Sequence, residues 1–286
     1  MSLLSTSARC KLFEEIAEKL WKKISRAHEV NINLSEIGIT SDIMVEILQY
    51  NKSLTNFDVY TKKAVDEKTY GNDIDLFVET NLNEYKWFAL QAKILKTSGE
   101  YDKLRYVSGG DLQWDKLLLL EGISGCESYY LLYNGDGKGT YNYSGTDRCE
   151  STFSESQFGC SIVKTKDVIR IASRTNTRGN FIKAKFADFH HSFAEPWRVL
   201  TCCYHKTEGK TLYALEEIKE SDINFKLITL VDKEEEEEEE KSEKDIDNEK
   251  DIDNDIIDNN RISIAKREAK WDPSLRIVIH RTDNLK

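Results

Sequence analysis

Apolar positions recur at helical spacing at the start of the chain and at two-residue spacing soon after. Phe13, Ile16, Leu20 and Ile24, with Trp21 beside them, predict an amphipathic helix over residues 11–27. Thr40 or Ser41 reads as an N-cap with Asp42 in the first turn, opening a second helix that runs to about Tyr50 and buries Ile43, Ile47 and Leu48. Residues 56–62 alternate and predict a first strand. The stretch Gly71 to Lys93 then reads as two strands, near 73–79 and 86–94, joined by a polar turn. Residues two apart on a strand lie about 6.6 Å apart on one face. Asp73 and Asp75 therefore share a face opposite Ile74, Leu76 and Val78. Ala89, Gln91 and Lys93 share a face opposite Phe88, Leu90 and Ala92.

Beyond the hairpin, residues 98–110 are polar and read as a loop or short helix. Asp111 is a candidate cap for a helix over 112–121, and the aromatic run 127–134 predicts a strand ending in the Gly-rich turn at 134–139. Residues 141–158 read as a loop and Thr165 to Ala172 as a short helix. A closing helix is expected within 186–203, with Pro196 in its first turn, and weak helical character at 212–219. A final strand begins at Leu275. The order helix, helix, strand, strand, strand, helix, strand predicts an α/β (α+β) protein with a central mixed sheet flanked by helices.

Composition changes this picture in one respect. The 286 residues carry a formal charge of −10, which argues against a nucleic-acid partner. Residues 231–260, however, hold 16 acidic residues and four lysines, including seven consecutive glutamates and the sequence EKDIDN twice in succession. The rest of the chain is then +2, and a phosphodiester substrate is not excluded. Such a tract repels itself and buries little, so it is expected to be disordered. It is a candidate to cover a basic groove or bind a basic partner. The expected organisation is a domain over 1–230 with its core at about 10–205, the acidic tract at 231–260, and a segment at 261–286 whose strand is a candidate to rejoin the domain. There is no signal-peptide h-region and no membrane-length apolar run, and no cysteine pair shows C-x-x-C spacing. Free thiols in a reduced, cytoplasmic setting are expected. Homodimer formation is left open.

Two carboxylates, an amide and an ammonium are thus expected to converge beside an apolar sheet. Each also has a plain reading. Asp73 and Asp75 suit a turn after Gly71, Lys93 suits a strand edge, Glu36 and Glu67 suit solvent, Gln113 suits a structural role, and Trp197 suits the core. The spacing of His190, His191, Cys202, Cys203 and His205 fits no closed zinc site.

The element order, with Asp73 at a strand start and Gln91-Ala92-Lys93 on the next strand, resembles the PD-(D/E)XK nuclease superfamily, the restriction-endonuclease-like fold with its αβββαβ core. The wider pattern of Glu36, Glu67, Gly71-x-Asp73-x-Asp75, Gln91-Ala92-Lys93, Gln113 and Pro196-Trp197 is similar to an uncharacterised bacterial family attached to that superfamily. The resemblance covers roughly residues 10–205. It departs at Asp75, where that family tends to carry Glu. The resemblance implies magnesium-dependent hydrolysis of DNA, with manganese as an alternative metal, DNA ahead of RNA as substrate, and a role in genome defence by analogy. It implies that Asp73, the Gln91 side-chain oxygen and the Ala92 carbonyl hold the metal, and that Lys93 orients water or meets developing charge. Glu36 is the upstream acid, with Asp75, Glu67 and Gln113 secondary. The alternative it leaves open is a catalytically inactive nuclease-fold protein that binds nucleic acid or a protein partner.

Overall fold

A computed structural model describes residues 3–53, 57–61, 70–81, 84–108, 110–135, 141, 152–190, 192–202, 213–214, 226–230, 264–268 and 275–279. Glu67, His191, Cys203, His205 and the acidic tract at 231–260 lie outside them. The chain divides into two compact units, residues 1–223 with 271–286, and residues 224–270.

In the first unit the elements are α1 (Leu3–Glu29), α2 (Glu36–Ser53), β1 (Phe57–Thr61), β2 (Ile74–Asn81), β3 (Glu84–Ile94), β4 (Val107–Ser108), β5 (Asp111–Leu112), α3 (Gln113–Ser124) and β6 (Glu127–Tyr133). A 3-10 turn at Glu155–Gly159 follows, then β7 (Cys160–Lys164), α4 (Thr165–Ala172), α5 (Phe186–His190), β8 (Glu195–Pro196), α6 (Val199–Cys202) and β9 (Tyr213–Ala214). The second unit contributes β10 (Lys226–Leu230) and β11 (Ile264–Glu268), paired antiparallel. The chain then returns to the first unit as β12 (Leu275–Ile279).

The architecture is α+β around a mixed sheet in the order β1-β12-β2-β3-β6-β7-β8, with β9 beside the start of β3. β12 runs parallel to β2, and β3 parallel to β6, while β2 and β3 are antiparallel. The parallel step from β3 to β6 passes through α3, the crossover such a pair requires.

Alternation sorts the two faces of the sheet as the hairpin pattern implies. Ile74, Leu76, Val78, Phe88, Leu90 and Ala92 join one buried cluster with Phe13, Ile16, Leu20 and Ile24 of α1 and Ile39, Ile43 and Ile47 of α2. Trp197 enters the same cluster, its ring 4.3 Å from Phe13 and its indole N–H donating to the Phe13 carbonyl at 2.7 Å. Gly159 lets α1 lie close, since a Cβ there would stand 1.9 Å from the Ala17 carbonyl oxygen.

Four sequence expectations need correction. The third helix starts at Gln113 with Leu112, not Asp111, at its cap, because Asp111 lies in β5 paired to Ser108. The second helix starts at Glu36, not at Thr40 or Ser41. Ser35 is its cap, accepting the Gly38 N–H at 3.0 Å, while the Thr40 hydroxyl turns back within the helix to the Glu36 carbonyl at 2.9 Å. Residues 186–203 are not one closing helix. Pro196 lies in β8, paired to Ser161 of β7, because Trp197 N–H bonds the Cys160 carbonyl and pulls this segment onto the sheet edge. Within 212–219, Tyr213 and Ala214 form strand, not helix, since β3 outruns β6 at its start and leaves an edge to pair.

Candidate functional site

The site arises where β3 runs past the beginning of β2. The register Ile74 to Leu90 puts Asp73, just before β2, opposite Gln91. In extended backbone a residue's N–H and C=O point to the same edge. At Ala92 that edge faces the space before β2, where no strand residue can pair. The Asp73 carboxylate takes over. Its Oδ2 accepts the Ala92 N–H at 2.8 Å and the Gln91 side-chain N–H at 2.5 Å. The same Gln91 Nε2 lies 3.3 Å from the Ala92 carbonyl oxygen. Asp73 itself is half-buried, and Gln91 and Lys93 are buried.

Gln91 Oε1 is buried and has no hydrogen-bond partner among the described residues. Leaving such an oxygen unmet costs about 1–3 kcal/mol. Turning the amide over would bring that oxygen against the Asp73 carboxylate, which is repulsive unless a cation lies between them. The amide N–H thus holds the position where a carboxylate, a carbonyl and a reversed amide oxygen would share a positive charge.

Lys93 Nζ is 3.7 Å from Glu36 Oε2. The ammonium is nearly enclosed, whereas the Glu36 carboxylate is about a third exposed at the rim. Glu36 reaches this point because Ser35 caps α2 one residue earlier. Thr40, a turn along α2, bonds the Tyr133 hydroxyl at 3.0 Å, fixing the start of α2 against β6. Burial raises the Tyr133 phenol well above its usual pKa, with Cys160, Asp73 and Glu36 adding to the effect against the Thr40 hydrogen bond. Burial likewise raises Tyr130, the residue beside Gln91 on β6, and the Asp73 charge reinforces it. Both phenols stay neutral, the Tyr130 hydroxyl facing the Leu104 carbonyl at 3.5 Å and the Tyr133 hydroxyl facing Thr40.

The sequence candidates divide. Asp73, Gln91 and the Ala92 backbone are brought together, and Lys93, two residues along β3, pairs with Glu36. Asp75 shares the face of Asp73 but is fully buried, with its Oδ1 accepting from Trp87 Nε1 at 2.5 Å and Asn72 Nδ2 at 2.9 Å. It anchors the start of β2 to β3. Gln113 begins α3, is buried, and has an Oε1 without a partner among the described residues. It packs against Gly71, whose φ of +72° carries the chain into Asp73. Glu67 lies outside the described residues. The roles of Asn72 and Trp87 were missed, because neither has a spacing that marks it as a partner of Asp75.

Among the described residues there is no group of three or more His, Cys, Asp or Glu side chains that could hold a metal ion. The donors that fit one are mixed: a carboxylate, a backbone carbonyl and a side-chain amide oxygen. All are oxygen atoms, as a hard cation such as magnesium prefers, and magnesium commonly takes only one or two carboxylates and completes its shell with water. No described helix is long and apolar enough to cross a membrane.

No curated protein and no solved structure matches the chain. One family profile does match, over residues 9–284, and so spans both the hairpin and the returning strand β12. The chain belongs to DUF6615, a family of unknown function.

Proposed function

We propose that this protein is a magnesium-dependent phosphodiester hydrolase acting on DNA, in the manner of the PD-(D/E)XK nucleases its hairpin resembles. The observation that carries the reading is the Gln91 amide. It bridges the Asp73 carboxylate and the Ala92 carbonyl through its N–H, while its own oxygen is buried and has no partner among the described residues.

Asp73, the Ala92 carbonyl and Gln91 Oε1 would hold the ion, which when bound polarises a phosphoryl oxygen and lowers the pKa of its water. Asp73 contributes the charge that selects a cation. The Ala92 N–H keeps that carboxylate oriented toward the end of β3. Lys93 offers a buried ammonium where negative charge develops on the phosphate, and Glu36 keeps that ammonium oriented across the rim. Gln113 acts as a positioning residue behind Gly71. The +2 charge outside the acidic tract leaves this region free to accept an anionic polymer. Cys10, Cys126 and Cys160 are buried and in no disulfide among the described residues, in keeping with a cytoplasmic protein.

The test is cleavage of DNA and RNA by the purified chain with magnesium or manganese, beside Asp73→Ala and Lys93→Ala. Each substitution is expected to lower the rate at least a hundredfold, the scale of losing one electrostatic group. Cleavage that persists unchanged in either variant overturns the assignment. Binding of nucleic acid without cleavage, insensitive to Asp73→Ala, selects instead the binding-only form of the same fold.

A further inference from the structure

Two loops outside the hairpin form a surface that the catalytic reading does not use. The first, residues 96–108, leaves the end of β3 three residues after Lys93. The second, residues 173–185, joins α4 to α5. Together they carry seven basic and two acidic residues. They are fastened to one another: Tyr101 N–H bonds the Ala184 carbonyl at 2.9 Å, Glu100 and Lys185 form a β-bridge, and Lys183 meets Asp102 at 3.4 Å. Beneath them a polar knot holds the first loop, and the helix α5 that follows the second, to the sheet. The Tyr101 hydroxyl donates to Asn134 Oδ1 at 2.5 Å, and Asn134 in turn contacts Ser161 and His190, with the Ser161 hydroxyl 2.7 Å from His190 Nε2.

On this firm base two aromatic rings are left open to solvent. Phe181 is 52% exposed and Tyr106 is 44% exposed. Each is paired with a cation. The Arg105 guanidinium sits 3.1 Å from the Phe181 centroid, covering one face, and Lys103 Nζ is 5.8 Å from the Tyr106 centroid. Burial against the ring lowers the Arg105 pKa, yet a guanidinium remains charged at neutral pH. Exposed rings interleaved with cations on a net positive surface are what an anionic polymer with unpaired bases would meet: the bases stack and the phosphates neutralise the charge. A duplex has its bases already stacked and cannot use the rings.

The loops also adjoin the proposed centre at both ends. Thr97 N–H bonds Asn33, in the turn before Glu36, at 2.9 Å. At the other end Gln113 N–H bonds the Tyr106 carbonyl at 2.9 Å, and the Gln113 carbonyl presses on Gly71, two residues before Asp73.

We propose that loops 96–108 and 173–185 form a platform for single-stranded nucleic acid, with Tyr106 and Phe181 stacking bases and Lys103, Arg105 and Arg178 meeting phosphates. The direction of the strand toward Asp73 and Lys93 rests on the nuclease reading; the binding itself does not. The experiment is fluorescence anisotropy of the full chain in EDTA with a labelled oligothymidylate of about 16 nucleotides and with its duplex. The single strand is expected to bind more tightly than the duplex. The double variant Tyr106→Ala/Phe181→Ala is expected to bind the single strand at least about tenfold more weakly, since each lost stack is worth a factor of about five or more. Tyr106→Phe/Phe181→Trp, which keeps both rings, retains binding. Lys103→Ala and Arg178→Ala each reduce the slope of log affinity against log salt by about 0.7. Unchanged affinity in the double alanine variant overturns the platform. So does a duplex preference, or displacement of the oligonucleotide by polyglutamate as effectively as by unlabelled strand, which would mark a surface for an acidic protein. Because binding is read in EDTA, an absence of cleavage in a separate magnesium assay leaves the result standing.

Discussion

Replacing Gly71 by alanine tests how the fold delivers Asp73 to its position. Gly71 has a φ of +72°, and a Cβ there would stand 2.6 Å from the Gln113 carbonyl oxygen and 3.1 Å from Lys116 Cβ. The left-handed backbone alone costs an L-residue about 1–2 kcal/mol. The clash is with helix backbone, which cannot swing aside, and adds about 1–3 kcal/mol of overpacking strain. Reduced freedom of the unfolded chain offsets about 0.4–1 kcal/mol. The net loss is about 1–5 kcal/mol, or roughly 2–20 °C in melting temperature for a unit of this size. Two glycines separate the contributions. Gly179 has φ +82° but nothing within 4 Å of a Cβ, so Gly179→Ala isolates the backbone cost and loses about 1 kcal/mol or less. Gly122 lies in α3 with open space and no positive φ, so Gly122→Ala gains about 0.5–1 kcal/mol. Urea unfolding followed by tryptophan fluorescence should rank Gly122→Ala above the parent, then Gly179→Ala, then Gly71→Ala. A Gly71→Ala midpoint equal to that of Gly179→Ala would refute the argument that α3 presses on this turn.

Three further outcomes are expected. Trp87→Phe keeps an aromatic ring but loses the pyrrole half of the indole and with it a donor to the buried Asp75 carboxylate, and should cost about 1–3 kcal/mol in urea unfolding; a neutral result would mean that Asp75 is satisfied without Trp87. Magnesium at about a hundred times its dissociation constant should stabilise the parent by about 2.7 kcal/mol in a thermal-shift titration and leave Asp73→Asn unmoved, since the variant lacks the charge; equal shifts in both would remove Asp73 from the ligand set. Burial raises the Cys126 and Cys160 thiols well above their usual pKa, so at pH 8 mass spectrometry after iodoacetamide should find both unmodified in the native protein and alkylated once it is unfolded; native labelling of Cys126 would contradict its burial.

Local pattern and long-range pairing determined different parts of this protein. Two-residue alternation by itself assigned Ile74, Leu76, Val78, Phe88, Leu90 and Ala92 to the core and turned Asp73, Gln91 and Lys93 to the other face, because side-chain direction in a strand depends only on position along it. Helical spacing located the buried face of α1 for the same reason, and matched α4 from Thr165 to Ala172. The start of α2 was misread because Thr40, Ser41 and Ser35 are all competent caps, and only the fold decides which hydroxyl meets a free N–H. β7 went unread because Cys160–Lys164 is short and strand-like only beside β6. The pattern marked a final strand from Leu275 as a candidate to rejoin the domain, but nothing local placed β12 between β1 and β2. Nor did spacing separate Asp73 from Asp75. The two differ by one turn of alternation on the same face, yet β2 begins between them. Asp75 falls inside the paired strands, where Trp87 and Asn72 claim it. Asp73 falls just outside, where β3 continues beyond β2 with β6 still paired on its other side, and the Ala92 N–H on the open edge is met by the carboxylate. Which residue types stand two apart is written locally; where a neighbouring strand stops is decided only when the whole sheet has formed.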